Sequence, residues 1–162
     1  NDTIYDNYKI LYSERGLFPM QEIRVQLTDH PKQKPVDEGR LGFGTIFSDH
    51  MFVMNYDEGE GWHDPRIVPY GNFEISPAAM CLHYGQSVFE GMKAYRAVDG
   101  RILLFRPEKN MARLNSSCER LCIPQIDEKF VQKAIEKLCP SRRTGFHTRT
   151  EPPFTCARSS LA

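Results

Sequence analysis

The 162-residue sequence has no surplus of charge of either sign: 21 Lys and Arg stand against 21 Asp and Glu. Nucleic-acid and polybasic membrane binders draw on a positive surplus, so neither partner is expected. No apolar run reaches the ~18 residues of a membrane span. Cysteine is sparse, with five residues at irregular spacing. An odd, unevenly spaced set is a poor disulfide framework and fits a reducing, cytoplasmic setting. No internal repeat is present. The length suits one domain, or a piece of a larger chain.

Three unequal parts are visible. Residues 1–19 mix aromatic and charged side chains without a sustained period. Residues 20–139 carry clear element signals. Residues 140–162 contain three prolines and Glu151 as their single acid. Such a tail buries too little apolar surface to offset ordering entropy and reads as disordered.

Within the middle part, Thr28 to Arg40 is polar and rich in Pro and Lys, the composition of an exposed arm. Residues 41–56 are β-branched and aromatic, which predicts a strand or a bent strand pair. Phe43 there is flanked by Gly42 and Gly44, a sign of close backbone approach or a bulge. Residues 57–65 have turn chemistry, and a short strand followed by a loop is expected over 66–77. A helical turn is expected within 78–91, ended by Gly91. Residues 91–107 read as a hairpin about a two-residue Asp99-Gly100 turn. Pro107 suits the start of a helix. Met111, Leu114, Cys118, Leu121 and Cys122 form its inward stripe, and Pro124 closes it. Asp127 caps a second helix, with Phe130, Val131, Ala134, Ile135 and Leu138 inward. A strand-rich half followed by two packed helices is an α+β arrangement.

Few side chains invite chemistry. Cys118 and Cys122 share a helical face, and small buried core side chains account for them better than a redox or metal pair. His50, His63 and His83 lie on separate elements without ligand spacing, so no metal site is expected. Asp49 and His50 are neighbours on a strand and point to opposite faces, which favours a structural role over an acid–base couple. Arg113 lies in the early part of its helix, off the apolar stripe. A guanidinium there suits a phosphate, and equally a solvated surface. Phe43, Tyr84 and Phe89 suit a core or a pocket wall.

The runs GFGTIFSDHMFVMNY, LHYGQSVFEGMKAYR, LLFRPEKNMARL and RLCIPQID, in that order, resemble the small N-terminal domain of branched-chain amino acid aminotransferases. These are fold-type-IV enzymes that use pyridoxal 5′-phosphate. The resemblance covers nearly all of residues 20–139. It implies an antiparallel sheet with two helices packed on it. It implies that Arg113 contacts the cofactor phosphate, and that Phe43, Tyr84 and Phe89 line the substrate slot. An apolar slot discriminates one methylene by only ~1–3 kcal/mol, so leucine, isoleucine and valine would all be accepted. The implied reaction is amino transfer from these acids to 2-oxoglutarate, in a homodimer.

The family's reaction needs a lysine that forms a Schiff base with the cofactor and shuttles the proton. By the resemblance that lysine lies in a large C-terminal domain beyond this sequence. Lys93, Lys109, Lys129, Lys133 and Lys137 fall in small-domain positions and none matches it. No catalytic residue is therefore assigned, and the chain alone is expected to be inactive. It is also expected to be marginally stable and prone to association, because a small domain built to pack on a larger one exposes apolar surface.

The two ends fall outside the resemblance. Residues 151–162, read one frame over, permit T-S-L-Y-M-R-P-F-I-I-G, the kind of strand the family carries at this point. Residues from about 140 are therefore expected to be an out-of-frame tail. Glu14-Arg15-Gly16 is encodable by a purine-rich stretch like a ribosome-binding site, so residues 1–19 are expected to be a non-native leader ahead of Met20. Other readings stay open: a fragment of a D-amino acid aminotransferase or aminodeoxychorismate lyase, or a non-enzymatic stand-alone small domain.

Overall fold

The structure, a computed structural model, describes residues 22–33 and 44–139. The expectations for residues 1–19 and 140–162, and for Phe43, lie outside the described residues. The elements run β1 (Arg24–Val25), β2 (His50–Asp57), β3 (Gly61–Pro69), α1 (Met80–His83), β4 (Ala94–Arg96), β5 (Ile102–Leu104), α2 (Pro107–Arg120) and α3 (Glu128–Leu138). Strands followed by two packed helices match the α+β expectation. No helix among the described residues is long and apolar enough to cross a membrane.

The sheet is mixed, which corrects the wholly antiparallel expectation. Its order is β1-β3-β2, with β2 antiparallel and β1 parallel to β3. The short β1 holds its place through its flank. Ile23, just before it, is buried with Ile67 of β3 and Ala134 of α3, and Gln26 N–H donates to Ile67 O at 2.9 Å.

Residues 57–65 are mostly strand rather than turn. The chain reverses over Glu58–Glu60, and Tyr56 pairs with Trp62. The apparent turn residues Asp64-Pro65 are a bulge. Val53 pairs with Arg66 and Asn55 with His63, so Met54 alone faces both. Asp64 takes φ 51° there. A bulge is one of the few places within a sheet where proline does not break a needed hydrogen bond.

The hairpin is present, but its turn has three residues. Ala97 N–H donates to Arg101 O, and Gly100 N–H to Ala97 O, each at 2.8 Å. Gly100 is left-handed at φ 82°. A turn followed by a left-handed residue is the usual three-residue hairpin loop. The helical turn before it is shorter than expected. It stops at His83, because Gly85 at φ 61° turns the chain away six residues before Gly91.

Pro107 occupies the first turn of α2, and Met111, Leu114 and Cys118 are buried on its inner face. Leu121 and Cys122 are exposed, against expectation. The helix ends at Arg120, before Pro124, in a reversal with Cys122 left-handed at φ 54°. Ile123 N–H donates to Cys118 O at 2.9 Å and Cys122 N–H to Glu119 O at 3.3 Å. This paired pattern satisfies the last helical carbonyls and swings Cys122 outward. Asp127 caps α3 as expected, accepting Phe130 N–H at 2.9 Å.

Val88, Met92, Met111, Leu114, Cys118, Ile123 and Ile126 make one core, with Trp62, Leu104, Val131 and Ile135 against it. Asn115 is buried at the helix junction. Its amide donates to Ile126 O at 3.0 Å and its oxygen accepts Ile126 N–H at 2.9 Å. Trp62, the single tryptophan, donates its indole N–H to Gln125 O at 2.8 Å and ties the sheet to the same junction.

Candidate functional site

The segment leading into β4 alternates. Val88, Met92 and Ala94 are buried, while Phe89, Lys93 and Tyr95 are exposed. Glu90 falls on the inward parity, and its side chain is only 8% exposed. A carboxylate on an apolar face needs partners, since an unpaired buried charge is strongly unfavourable. Helix α2 supplies them from Asn110 and Arg113, three residues apart and therefore neighbours on its surface.

Arg113 Nε donates to Glu90 Oε2 at 2.7 Å, and its Nη2 donates to Oε1. Asn110 Nδ2 donates to Glu90 Oε1 at 2.9 Å and to Gly91 O at 2.8 Å. Gly91 N–H donates to Oε1 at 3.0 Å. Burial pushes the Glu90 carboxyl up, but the Arg113 and Asn110 hydrogen bonds, the Arg113 charge and the Gly91 N–H outweigh it. The group is held below the ordinary carboxylate value. Reciprocally, the hydrogen bond and charge of Glu90 raise Arg113. The contact uses the side edge of the guanidinium. Arg113 is 64% exposed, and its Nη1 end points away from the carboxylate. A guanidinium gripped on one edge offers a fixed donor fork at the other, a shape that matches phosphate or carboxylate oxygens.

Phe89 adjoins this site and is 59% exposed. Its ring lies over Gly91, where an added Cβ would meet it at 3.6 Å. Tyr84 is 77% exposed and follows α1 on the same segment. The structure thus brings Arg113 to Glu90, whose chain neighbour Phe89 faces outward, and leaves Tyr84 further along the segment. Glu90 and Asn110 were not singled out from sequence. The signal for Glu90 was an acid at the inward parity of Val88, Met92 and Ala94. For Asn110 it was its spacing from Arg113.

The remaining candidates have local roles. Asp49 Oδ1 accepts Lys32 N–H at 2.8 Å and His50 Nε2 accepts Thr28 N–H at 2.9 Å, so both tie down the polar segment before β2. His83 Nε2 contacts Pro77 O at 2.6 Å. His63 Nε2 meets Asp57 Oδ2 at 2.6 Å across the β2–β3 turn. Glu60 joins that group, with the ligand-type atoms of the three within 4.8 Å. Cys118 is fully buried, and burial raises its thiol, whereas Cys122 is exposed. The core reading holds for Cys118 and fails for Cys122, which the left-handed reversal after α2 carries outward.

No family model matches the chain. Among curated proteins, it is 58% identical over 118 residues to branched-chain-amino-acid aminotransferase 2 of Bacillus subtilis (strain 168), covering 73% of this chain and 32% of the relative. It is 53% identical over 116 residues to branched-chain-amino-acid transaminase 1 of the same strain, covering 72% and 32%. A probable branched-chain-amino-acid aminotransferase of Staphylococcus aureus (strain N315) is 50% identical over 123 residues, covering 76% and 34%. The chain spans about a third of the length of these relatives. The resemblance first read from the residue runs is therefore homology: over nearly three quarters of its length this chain is a homologue of branched-chain-amino-acid aminotransferases.

Proposed function

We propose that this chain is the small-domain portion of a pyridoxal-phosphate-dependent, fold-type-IV branched-chain aminotransferase, and that Arg113 contacts the cofactor phosphate. The observation that carries the reading is the edge-on grip of Glu90 on Arg113, which leaves the Nη1 end of an exposed guanidinium free of that carboxylate. That donor set fits a phosphate monoester. When bound, the cofactor supplies the electron sink for amino transfer.

Each side chain then has a separate job. Arg113 holds and orients the phosphate. Phe89 and Tyr84, exposed on the same segment, supply apolar wall for aliphatic side chains, and Phe43 is assigned the same role. Such a wall excludes water and selects for size and polarity without distinguishing leucine, isoleucine and valine sharply. The small-molecule partners are these amino acids and their 2-oxo acids. The working enzyme is a cytoplasmic homodimer. None of Lys93, Lys109, Lys129, Lys133 or Lys137 is assigned the proton-shuttling role, so the isolated chain is inactive.

Two measurements test this. Purified chain mixed with leucine, 2-oxoglutarate and pyridoxal 5′-phosphate is expected to form no glutamate; turnover that depends on one of its lysines overturns the inactive-fragment reading. Binding of the cofactor is expected to be weak and to disappear in Arg113→Gln. Unchanged binding in that variant overturns the phosphate assignment.

A further inference from the structure

We propose that Glu90 is a positioning residue: it fixes the Arg113 guanidinium edge-on so that its outer fork is held ready for a phosphate monoester. This rests on the phosphate assignment of Arg113 above and adds the group that makes the arginine competent. Three observations lead to it. Glu90 occupies the inward parity between Val88 and Met92, where solubility gives no reason for a charge. Its oxygens accept from Arg113 Nε and Nη2, Asn110 Nδ2 and Gly91 N–H, so the carboxylate is itself immobilised from two elements. Asn110 also donates to Gly91 O, which locks the first half of α2 to the segment carrying Glu90.

Electrostatics alone argues against a carboxylate at this spot. Its charge cancels part of the arginine's attraction for a dianion and repels the phosphate directly. Its benefit must then be geometric. A free arginine side chain loses much rotamer freedom on binding, and a gripped one has already lost it. The two roles predict opposite signs for Glu90→Gln. Glutamine removes the repelling charge, but its NH₂ faces the arginine donors and cannot accept from both Nε and Nη2. If Glu90 positions, binding weakens; if it is only a counter-charge, binding tightens.

The probe is pyridoxine 5′-phosphate, which carries the ring and phosphate but no aldehyde to react with lysines. Its affinity for the full chain and the Nε–H nuclear magnetic resonance signal of Arg113 are followed together. The expected result is binding abolished in Arg113→Gln, weakened on the order of tenfold in Glu90→Gln, and loss of the slowly exchanging Nε–H signal in the latter. Binding lost in Arg113→Gln but unchanged or tighter in Glu90→Gln overturns the positioning role and leaves the phosphate assignment standing. Binding unaffected by Arg113→Gln, or absent from the wild-type chain, overturns both. Should Glu90→Gln fail to fold, Asn110→Ala is read instead. It frees one Glu90 oxygen, and a smaller loss in the same direction is expected; no loss overturns the proposal.

Discussion

Helices α2 and α3 and the segment from Tyr70 to Phe89 are both rich in apolar side chains and use them oppositely. In the helices, Met111, Leu114, Cys118 and Ala134 are nearly inaccessible, and most polar groups, Asn115 apart, lie toward water. Along the segment, Phe73, Ile75, Met80, Leu82, Tyr84 and Phe89 are all exposed by 43–77%. The helical half satisfies its own hydrophobic pattern. The segment leaves its apolar side chains on the surface of the described residues. Glu90 and Arg113 lie where the two regions meet.

Truncation should separate the regions most sharply. Leu114→Ala removes a side chain 3% exposed and is expected to lower unfolding free energy by about 2–5 kcal/mol in urea melts. Leu82→Ala, at a position 58% exposed, is expected to change it by less than about 0.5 kcal/mol. Equal losses would erase the contrast. Glu90 gives an effect of intermediate size that depends on pH. Its folded-state carboxyl titrates below the ordinary 4.5, so the unfolded chain takes up the proton first as pH falls. The stabilisation is full above that ordinary value and fades as pH drops through the lower folded value. Acid melts of wild type and Glu90→Gln should therefore differ at neutral pH and converge in acid; parallel curves would remove Glu90 as the source. The exposed segment should in turn govern association. Sedimentation of Leu82→Lys combined with Tyr84→Lys is expected to show self-association weakened on the order of tenfold, ~1.4 kcal/mol, whereas charges added on the outer face of α3 should leave it unchanged. The smallest non-zero effect sought is a gain: Cys122→Gly relieves a left-handed non-glycine residue at the end of α2 and is expected to stabilise by about 1 kcal/mol.

Much of the helical half was legible because its signals are local. Pro107 and Asp127 mark helix starts, and the apolar spacing of Met111, Leu114 and Cys118 fixes the inner face of α2. Errors arose where tertiary structure overrode local chemistry. Asp64-Pro65 carries turn residues, yet pairing with β2 makes it a bulge. Leu121 and Cys122 continue the helical period, yet the left-handed reversal at Cys122 turns both outward. The two residues of β1 are too few to show a period at all, and they exist as strand because Ile23 docks beside Ile67. For the site, the family runs single out Arg113 as a candidate, whereas Glu90 escapes notice because an acid in a sequence is normally assigned to solvent. Its alternation with Val88 and Met92 is the physical clue that such an assignment fails.

Trp62 gives the molecule a built-in optical gauge. As the single indole, bonded to Gln125 O in the α2–α3 junction and edge-on to Tyr56 at 5.1 Å, it emits from the seam between sheet and helices. Its emission maximum should shift to the red when that seam opens and stay still when only the Arg113 end is disturbed. One fluorescence trace can therefore tell a substitution that undoes the fold from one that merely blunts phosphate capture.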